Sequence, residues 1–264
     1  MSHPPIRLER DGTVAVMVLE DPPLNLYSDR TYEALRACLD ELEQSDARAL
    51  VWRAEGRVFT GGVDVHVFDR MLEGGGGELG GSLLYGSLLE PVRRIEKLPM
   101  PTLALVHGVC LTWGLEIALG MDMIWASASA RFGLVEANVG LTPGAGGTQR
   151  MAHRAGPARA AEFVMTADMY DAATLRDWGV VNRVVADDAL LSEGLAFAHR
   201  LGSGPTKAHA LTKRIIHAYK TGGVEEADRL TPDITGTLFQ TADLQNAVRT
   251  FLAEGPGKAT FEGR

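Results

Sequence analysis

Pro101-Thr-Leu-Ala-Leu-Val-His-Gly-Val-Cys-Leu-Thr-Trp-Gly-Leu-Glu-Ile-Ala-Leu-Gly-Met-Asp-Met-Ile-Trp125 contains one strand–helix–strand unit. Thr102–Val106 is a short, β-rich apolar run, the segment after Thr112 has helical character, and Met123–Trp125 is apolar again. Two carboxylates occur in this stretch, Asp122 near its end and Glu116 amid Leu, Ile and Ala, and no Lys or Arg occurs between Met100 and Arg131. A carboxylate among Leu, Ile and Ala loses hydration that a neighbouring cation would help replace, so Glu116 calls for a chemical explanation.

The same rhythm extends outward. Thr13–Leu19 is dense in β-branched residues and reads as a strand, which Asp21-Pro-Pro-Leu-Asn25 breaks. Ser28 can cap a helix whose Leu35, Leu39 and Leu42 recur at helical spacing, and Ala49–Trp52 reads as the next strand. Alternating β and α units predict an α/β architecture with largely buried sheets. Glu73–Gly81 is too rich in glycine to hold regular structure alone and predicts a mobile surface loop. From about Pro157 the pattern is almost wholly helical, with candidates at 158–165, 172–178, 188–201, 206–219 and 231–252 and a short extended piece at 181–185. A helical tail after an α/β body predicts packing on that body or on another subunit.

Composition narrows the function classes. The chain has 264 residues, 45% hydrophobic and 23% charged, as ordinary globular proteins do. Its formal net charge of −8 argues against a general nucleic-acid surface while allowing a local basic site for a phosphorylated ligand. Cys38 and Cys110 form no CxxC and no Cys/His cluster, so neither a disulfide framework nor a metal site is predicted. The N-terminal MSHPPIRLER lacks the apolar core of a secretory signal, and the longest apolar stretch, 101–126, contains His107, Glu116 and Asp122. These features predict a soluble protein of a reducing compartment, the cytoplasm, with no membrane span.

Three motifs carry chemistry. Gly140-Leu-Thr-Pro-Gly-Ala-Gly-Gly-Thr-Gln149 lacks the GxGxxG spacing, and no GK[ST] occurs in the chain, so the glycines predict a turn opening a helix at Gly147-Thr148. Glu136, in Phe132-Gly-Leu-Val-Glu-Ala137, lies in neutral surroundings like Glu116. Either acid alone reads as a solvated or salt-bridged group. Brought into one dry site, the two cannot both ionise cheaply, and such a pair supplies a general acid and a general base together. Val58-Phe-Thr-Gly-Gly-Val-Asp-Val65 reads either as a tight turn after a strand or as a loop freeing a backbone N–H to hold a developing oxyanion.

Taken in order, these segments resemble the enoyl-CoA hydratase/isomerase (crotonase) family nearly end to end. The resemblance rests on Pro22-Pro-Leu-Asn25, Gly56-Arg-Val-Phe-Thr-Gly-Gly-Val-Asp64, Pro101–Gly108, Gly114-Leu-Glu-Ile-Ala-Leu119, Phe132-Gly-Leu-Val-Glu136, Leu141–Arg150, Trp178–Val185 and the terminal Phe261-Glu-Gly-Arg264. It implies an α/β, crotonase-like spiral of ββα units over residues 1–200 and a helical oligomerisation segment over 201–264, assembled as a homotrimer or a dimer of trimers. It also implies an acyl-CoA substrate, carried as a coenzyme A thioester, with no tightly bound cofactor and no metal. By motif position the oxyanion donors would be the backbone N–H groups of Val63 and Trp113. Glu116 and Glu136 would be the catalytic acids of a hydratase, and Gly144 would help position the water. Asn25, Leu26, Asp64 and Val65 match positions lining the CoA path, and Arg57 and Lys213 would be phosphate partners. The resemblance leaves open a Δ3,Δ2-isomerase, another acyl-CoA lyase of this scaffold, and a non-catalytic acyl-CoA-binding homologue.

The chain departs from the family pattern in four places. Thr112-Trp113-Gly114 stands where hydratases usually have consecutive glycines, and Val135 replaces a Pro often found before the second acid. Glu262 stands where a CoA-binding Lys is often found, and Gly74–Gly81 falls in the variable acyl-pocket region. Trp113 is the departure that bears most directly on chemistry, because its N–H belongs to the implied oxyanion site while its indole has to be accommodated.

Overall fold

The computed structural model describes the backbone of residues 3–73 and 77–264, and the side chains of residues 3–73 and 86–264. The chain begins with β1 (Ile6–Asp11), β2 (Val14–Leu19), α1 (Asp29–Glu43), β3 (Ala49–Ala54), α2 (His66–Glu73) and α3 (Gly77–Lys97). β4 (Thr102–Val106), β5 (Val109–Leu111), α4 (Thr112–Gly120), β6 (Met123–Ser127) and β7 (Arg131–Gly133) follow, then a 3₁₀ turn at Glu136–Val139. α5 (Gly147–Ala155), α6 (Pro157–Thr166), β8 (Tyr170–Asp171), α7 (Ala172–Asp177) and β9 (Arg183–Val185) complete the body. α8 (Leu190–Gly202), α9 (Thr206–Gly236) and α10 (Ala242–Glu254) form the helical C-terminal part.

The strands make a six-stranded sheet of order β1-β2-β3-β4-β6-β9 and a three-stranded sheet of order β5-β7-β8. The larger sheet is parallel except for β1, which pairs antiparallel with β2. Side chains alternate across it. Ala15, Met17, Leu50, Trp52, Ala104, Val106 and Ile124 face the main core. Val14, Val16, Val51, Leu103, Leu105 and Trp125 face a second layer closed by Leu190 and Ala198 of α8. Burial on both faces is why β2 and β4 read as unbroken apolar runs. β1 is not predicted by the sequence because it is a half-exposed edge strand with charged residues at Arg7, Glu9 and Arg10.

α1 begins where the sequence predicts. The Ser28 hydroxyl accepts the Thr31 N–H, the Thr31 hydroxyl accepts the Ser28 N–H at 2.7 Å, and Leu35, Leu39 and Leu42 are buried. The loop expected at 73–81 is corrected in part. Gly77–Gly81 are the first residues of α3, whose later Val92 and Ile95 are fully buried and anchor the helix, while residues 74–76 lie outside the described residues. The C-terminal boundaries also move. α9 runs on past the expected end at 219 through a kink at Gly223 (φ 75°), and a 3₁₀ turn at Thr237–Gln240 divides the helix expected at 231–252. Thr241 then caps α10 by accepting the Leu244 N–H.

The terminal segment is tied back onto the body. Buried Asp243 accepts the Glu262 and Gly263 N–H groups at 2.7 and 2.9 Å, and Arg48 donates to Phe261 O at 3.0 Å. Among the described residues no helix is long and apolar enough to cross a membrane, and no group of acids, His and Cys is arranged to hold a metal ion.

Candidate active site

All nine residues of α4 are buried, and Glu116 lies one turn from its N-terminus at 3% exposure. Its Oε1 accepts two backbone N–H bonds, from Ala145 and from Gly147, each 2.8 Å long. These donors sit where the glycine-rich turn opens α5, the turn-to-helix transition predicted at Gly147. Gly146 is left-handed (φ 94°), which brings both N–H groups round to one oxygen. Gly147 is packed so tightly that a Cβ there would come within 2.9 Å of the Glu116 Cγ. Gly144 directly precedes Ala145 on this loop; Ala145 and Gly147 are the residues that hold the carboxylate.

Glu136 opens the 3₁₀ turn after β7, and its Oε2 is buried with no hydrogen-bond partner among the described residues. Burial raises the Glu136 carboxyl to about 7. Burial, and after it the charge of Glu136, raises Glu116 to about 8, against the pull of the Gly147 and Ala145 N–H groups and of Arg150. The fold thus brings together two acids twenty residues apart in sequence and couples them electrostatically. Arg150 is itself occupied by Glu96 in a two-point ion pair at 3.0 and 2.5 Å, so it shifts the pair without neutralising it.

Beside the acids, two loops meet. The Thr60–Asp64 loop runs alongside Asn25–Tyr27: Tyr27 N–H donates to Gly62 O at 2.8 Å, and Asp64 N–H donates to Tyr27 O at 3.0 Å. In that parallel bridge the Val63 N–H points away from Tyr27, leaving it free of the pairing. The second loop is the start of α4. Leu111 precedes the helix without a side-chain capping bond, so the first-turn N–H groups, that of Trp113 among them, have no acceptor within the helix. Gly62 (φ 103°) faces Thr112 so closely that a Cβ would stand 2.7 Å from the Thr112 Oγ1. The Trp113 indole points inward, with its Nε1 donating to Thr60 Oγ1 at 3.1 Å and its ring centroid 5.8 Å from Tyr27 and 6.1 Å from Trp52. A narrow apolar cavity of only about 10 Å³ lies alongside, lined by Tyr27, Tyr32, Leu88, Trp113, Ile117 and Ala145. The roomier cleft of about 320 Å³ between α3, α5 and α9 holds the Arg150–Glu96 pair and neither of the two coupled acids.

The residues expected along a CoA path divide into three kinds. Arg57 is exposed and has no ion pair among the described residues, and Val65 is exposed at 59%. Leu26 and Leu24 close over Gly61, and the Asp64 carboxylate accepts the His66 N–H at 3.0 Å where α2 begins. Asn25 is wholly committed to the scaffold: its side-chain amide donates to Glu55 O, Val58 O and Phe59 O, and its Oδ1 accepts the Asp21 N–H. Lys213 is likewise engaged, pairing with Asp122 Oδ2 at 2.8 Å and donating to Met100 O at 2.9 Å. In the structure it thereby neutralises the acid that follows α4, a partner distant in sequence. Sequence reasoning does not single out Thr60 or Ala145, and it reads Gly147 only as the start of a helix. The Thr-Gly-Gly and Gly-Ala-Gly-Gly runs containing them were the available signal.

The chain is similar to known proteins over nearly its whole length. The family model described as enoyl-CoA hydratase/isomerase matches residues 9–264. A short-chain-enoyl-CoA hydratase of Clostridium acetobutylicum is 31% identical over 93% of this chain and 93% of its own. A 1,2-epoxyphenylacetyl-CoA isomerase of Escherichia coli is 32% identical over 92% of this chain and 93% of its own. The crystal structure of an enoyl-CoA hydratase of Mycobacterium smegmatis superposes with a TM-score of 0.89 at 25% identity, covering 96% of this chain and 97% of the other. The α/β crotonase fold with its long C-terminal helix is shared across these structures, and the chain belongs to the enoyl-CoA hydratase/isomerase family.

Proposed function

We propose that this chain is an enoyl-CoA hydratase, adding water across the 2,3 double bond of an enoyl-CoA thioester. The observation that carries the reading is the coupled pair of raised carboxyls, Glu116 and Glu136, beside two loops whose N–H groups are free of backbone pairing. A hydratase needs a base and an acid at once, and a pair sharing one proton supplies both.

In the proposed reaction the Val63 and Trp113 N–H groups hold the thioester oxygen. Glu116 takes a proton from water as its oxygen bonds to Cβ, and the double-bond electrons move to the thioester oxygen as an enolate. Glu136 then gives its proton to Cα, and the enolate collapses back to the thioester. One proton is gained by the pair and one is lost, so the pair ends singly protonated, as it began. In the free protein burial raises both carboxyls, so the pair retains one proton near neutrality. The reaction needs that proton on Glu136, and the several kcal/mol that an oxyanion site supplies works against the cost of holding it there. Gly144, next to the N–H that holds Glu116, is the proposed water-positioning residue.

Arg57, Leu26, Asp64 and Val65 are the proposed lining of the CoA path, with Arg57 as phosphate partner. The reaction needs neither metal nor redox cofactor, because hydration changes no net oxidation state and the two acids supply both proton transfers. Exposed Val224, Phe239, Val248, Phe251 and Leu252 support residues 201–264 as the surface of a homotrimer or a dimer of trimers. Buried thiols at Cys38 and Cys110 suit the cytoplasm.

A second reading is favoured by one observation, the 32% identity to an acyl-CoA isomerase. Incubation with crotonyl-CoA and longer enoyl-CoA esters, read by mass, separates the two. Hydration adds the mass of water, whereas isomerisation leaves mass unchanged and gives a product of new chromatographic retention. A folded protein inert on every enoyl-CoA tried would refute the hydratase reading.

A further inference from the structure

Thr60 is fully buried, and its hydroxyl makes three hydrogen bonds to three different segments. It donates to Asn25 O at 2.7 Å, and it accepts the Gly62 N–H at 3.0 Å and the Trp113 indole Nε1–H at 3.1 Å. A hydroxyl has one proton and two lone pairs, so its capacity is used completely. Its backbone adds two more ties: Thr60 N–H donates to Val109 O at 3.0 Å, and Leu111 N–H donates to Thr60 O at 3.1 Å. The methyl group packs under the first turn of α4, where a Cβ on Gly114 would lie 2.2 Å from the Thr60 Cγ2. The segments bearing Val63 and Trp113 are therefore both referenced to a single oxygen atom.

We propose that Thr60 is a positioning residue: its hydroxyl, acting with the Trp113 indole, fixes the spacing of the Val63 and Trp113 N–H groups and so sets how strongly a thioester oxyanion is held. The proposal rests on the thioester reading above. An oxyanion site works only when its donors are held close to the position the charged oxygen will occupy. A glycine at position 113 would have no side chain to anchor the helix start. Here the indole reaches back to the opposite loop and ties the two donors together. The group that looks like an intrusion into the site is a brace behind it.

Thr60→Val keeps the shape and removes the hydroxyl, Thr60→Ser keeps the hydroxyl, and Trp113→Phe keeps a ring and removes the indole N–H. The probe is cinnamoyl-CoA, whose long-wavelength absorption moves further to the red when its thioester carbonyl is polarised. The expected result for Thr60→Val is a loss of about 10- to 100-fold in kcat and of most of the red shift, with KM changed less than about threefold. Thr60→Ser should recover kcat to within about threefold, and the Thr60→Val/Trp113→Phe double variant should be little worse than Thr60→Val, because both changes break one contact. Equal losses in Thr60→Val and Thr60→Ser, additive losses in the double variant, or an unchanged band in Thr60→Val would overturn the proposal. If Thr60→Val does not fold, Trp113→Phe decides on the same band, and an unchanged shift overturns it. A wild-type protein that shifts the band yet hydrates no enoyl-CoA sinks the hydratase reading alone, whereas one that binds without a shift sinks both.

Discussion

Replacing Glu116 by Gln separates the chemical role of this carboxyl from its structural cost. Glu116 is raised from 4.5 to about 8, first by burial and then by Glu136. A carboxyl raised in the folded state binds its proton more tightly there than in the unfolded chain. Stability is therefore greatest below the unfolded value near 4.5 and is lost as pH rises toward 8. At about 1.4 kcal/mol per pH unit the loss is at most about 5 kcal/mol. Gln has nearly the same shape and cannot ionise, and its carbonyl oxygen can still accept the Ala145 and Gly147 N–H bonds of 2.8 Å. Glu116→Gln should therefore match the wild type near pH 5 and exceed it near pH 9, with the difference in Tm widening by about 5–10 °C. At neutral pH its hydration rate should fall by about 10²- to 10⁴-fold, the range for a lost general base. The assays are thermal unfolding at a series of pH values and loss of enoyl absorbance. A Tm difference that does not change with pH would refute the argument that Glu116 is strained by ionising, and near-wild-type turnover would remove it from the chemistry.

If the pair shares one proton as proposed, kcat/KM on crotonyl-CoA should peak between about pH 7 and 8 and fall on both sides; a flat profile from pH 5.5 to 9.5 would contradict the shared proton. Gly62→Ala places a Cβ at φ 103° and 2.7 Å from the Thr112 Oγ1. It should cost about 1–3 kcal/mol in a urea titration and about 10²-fold in turnover, and full turnover would show that the adjacent Val63 N–H is not an oxyanion donor. Lys213→Met removes the 2.8 Å partner of Asp122 and should destabilise the fold by about 3 kcal/mol while leaving KM for the thioester within about twofold. A tenfold rise in KM at unchanged stability would instead make Lys213 a phosphate ligand.

The parts of the fold legible in the sequence are those whose burial makes the pattern continuous. β4, α4 and β6 have no exposed face that would need polar residues, and the predicted β4 has the observed bounds. The illegible parts are governed by partners distant in the chain. β1 is an edge strand defined by pairing with β2, and its apolar pattern is too thin to announce it. Gly77–Gly81 are helical although glycine disfavours a helix, because residues later in α3 are anchored in the core. The same distinction holds within the candidate site. Glu116 and Glu136 stood out as charges without local neutralisers. Lys213 read as a free cation because its partner Asp122 belongs to another part of the chain.

Trp113 illustrates how such a reading is refined. Glycines tolerate backbone angles that a tryptophan does not, so the replacement at position 113 bears on the loop's geometry as well as on its side chain. The left-handed angles are in fact carried by its neighbours: Gly62 has φ 103° and Thr112 has φ 44°, while Trp113 lies within α4 and is not among the positive-φ residues. A threonine in the left-handed region costs on the order of 1–3 kcal/mol, and its buried Oγ1 has no hydrogen-bond partner among the described residues. That local cost is offset by the indole's bond to Thr60 and its contacts with Tyr27 and Trp52, which hold the start of α4 in place. Strain at Thr112 and anchoring at Trp113 are therefore two halves of one device. Relieving the strain with Thr112→Gly should raise stability without loss of turnover, provided the anchor remains. If turnover falls although the fold is stabilised, the left-handed threonine itself takes part in setting the donor geometry.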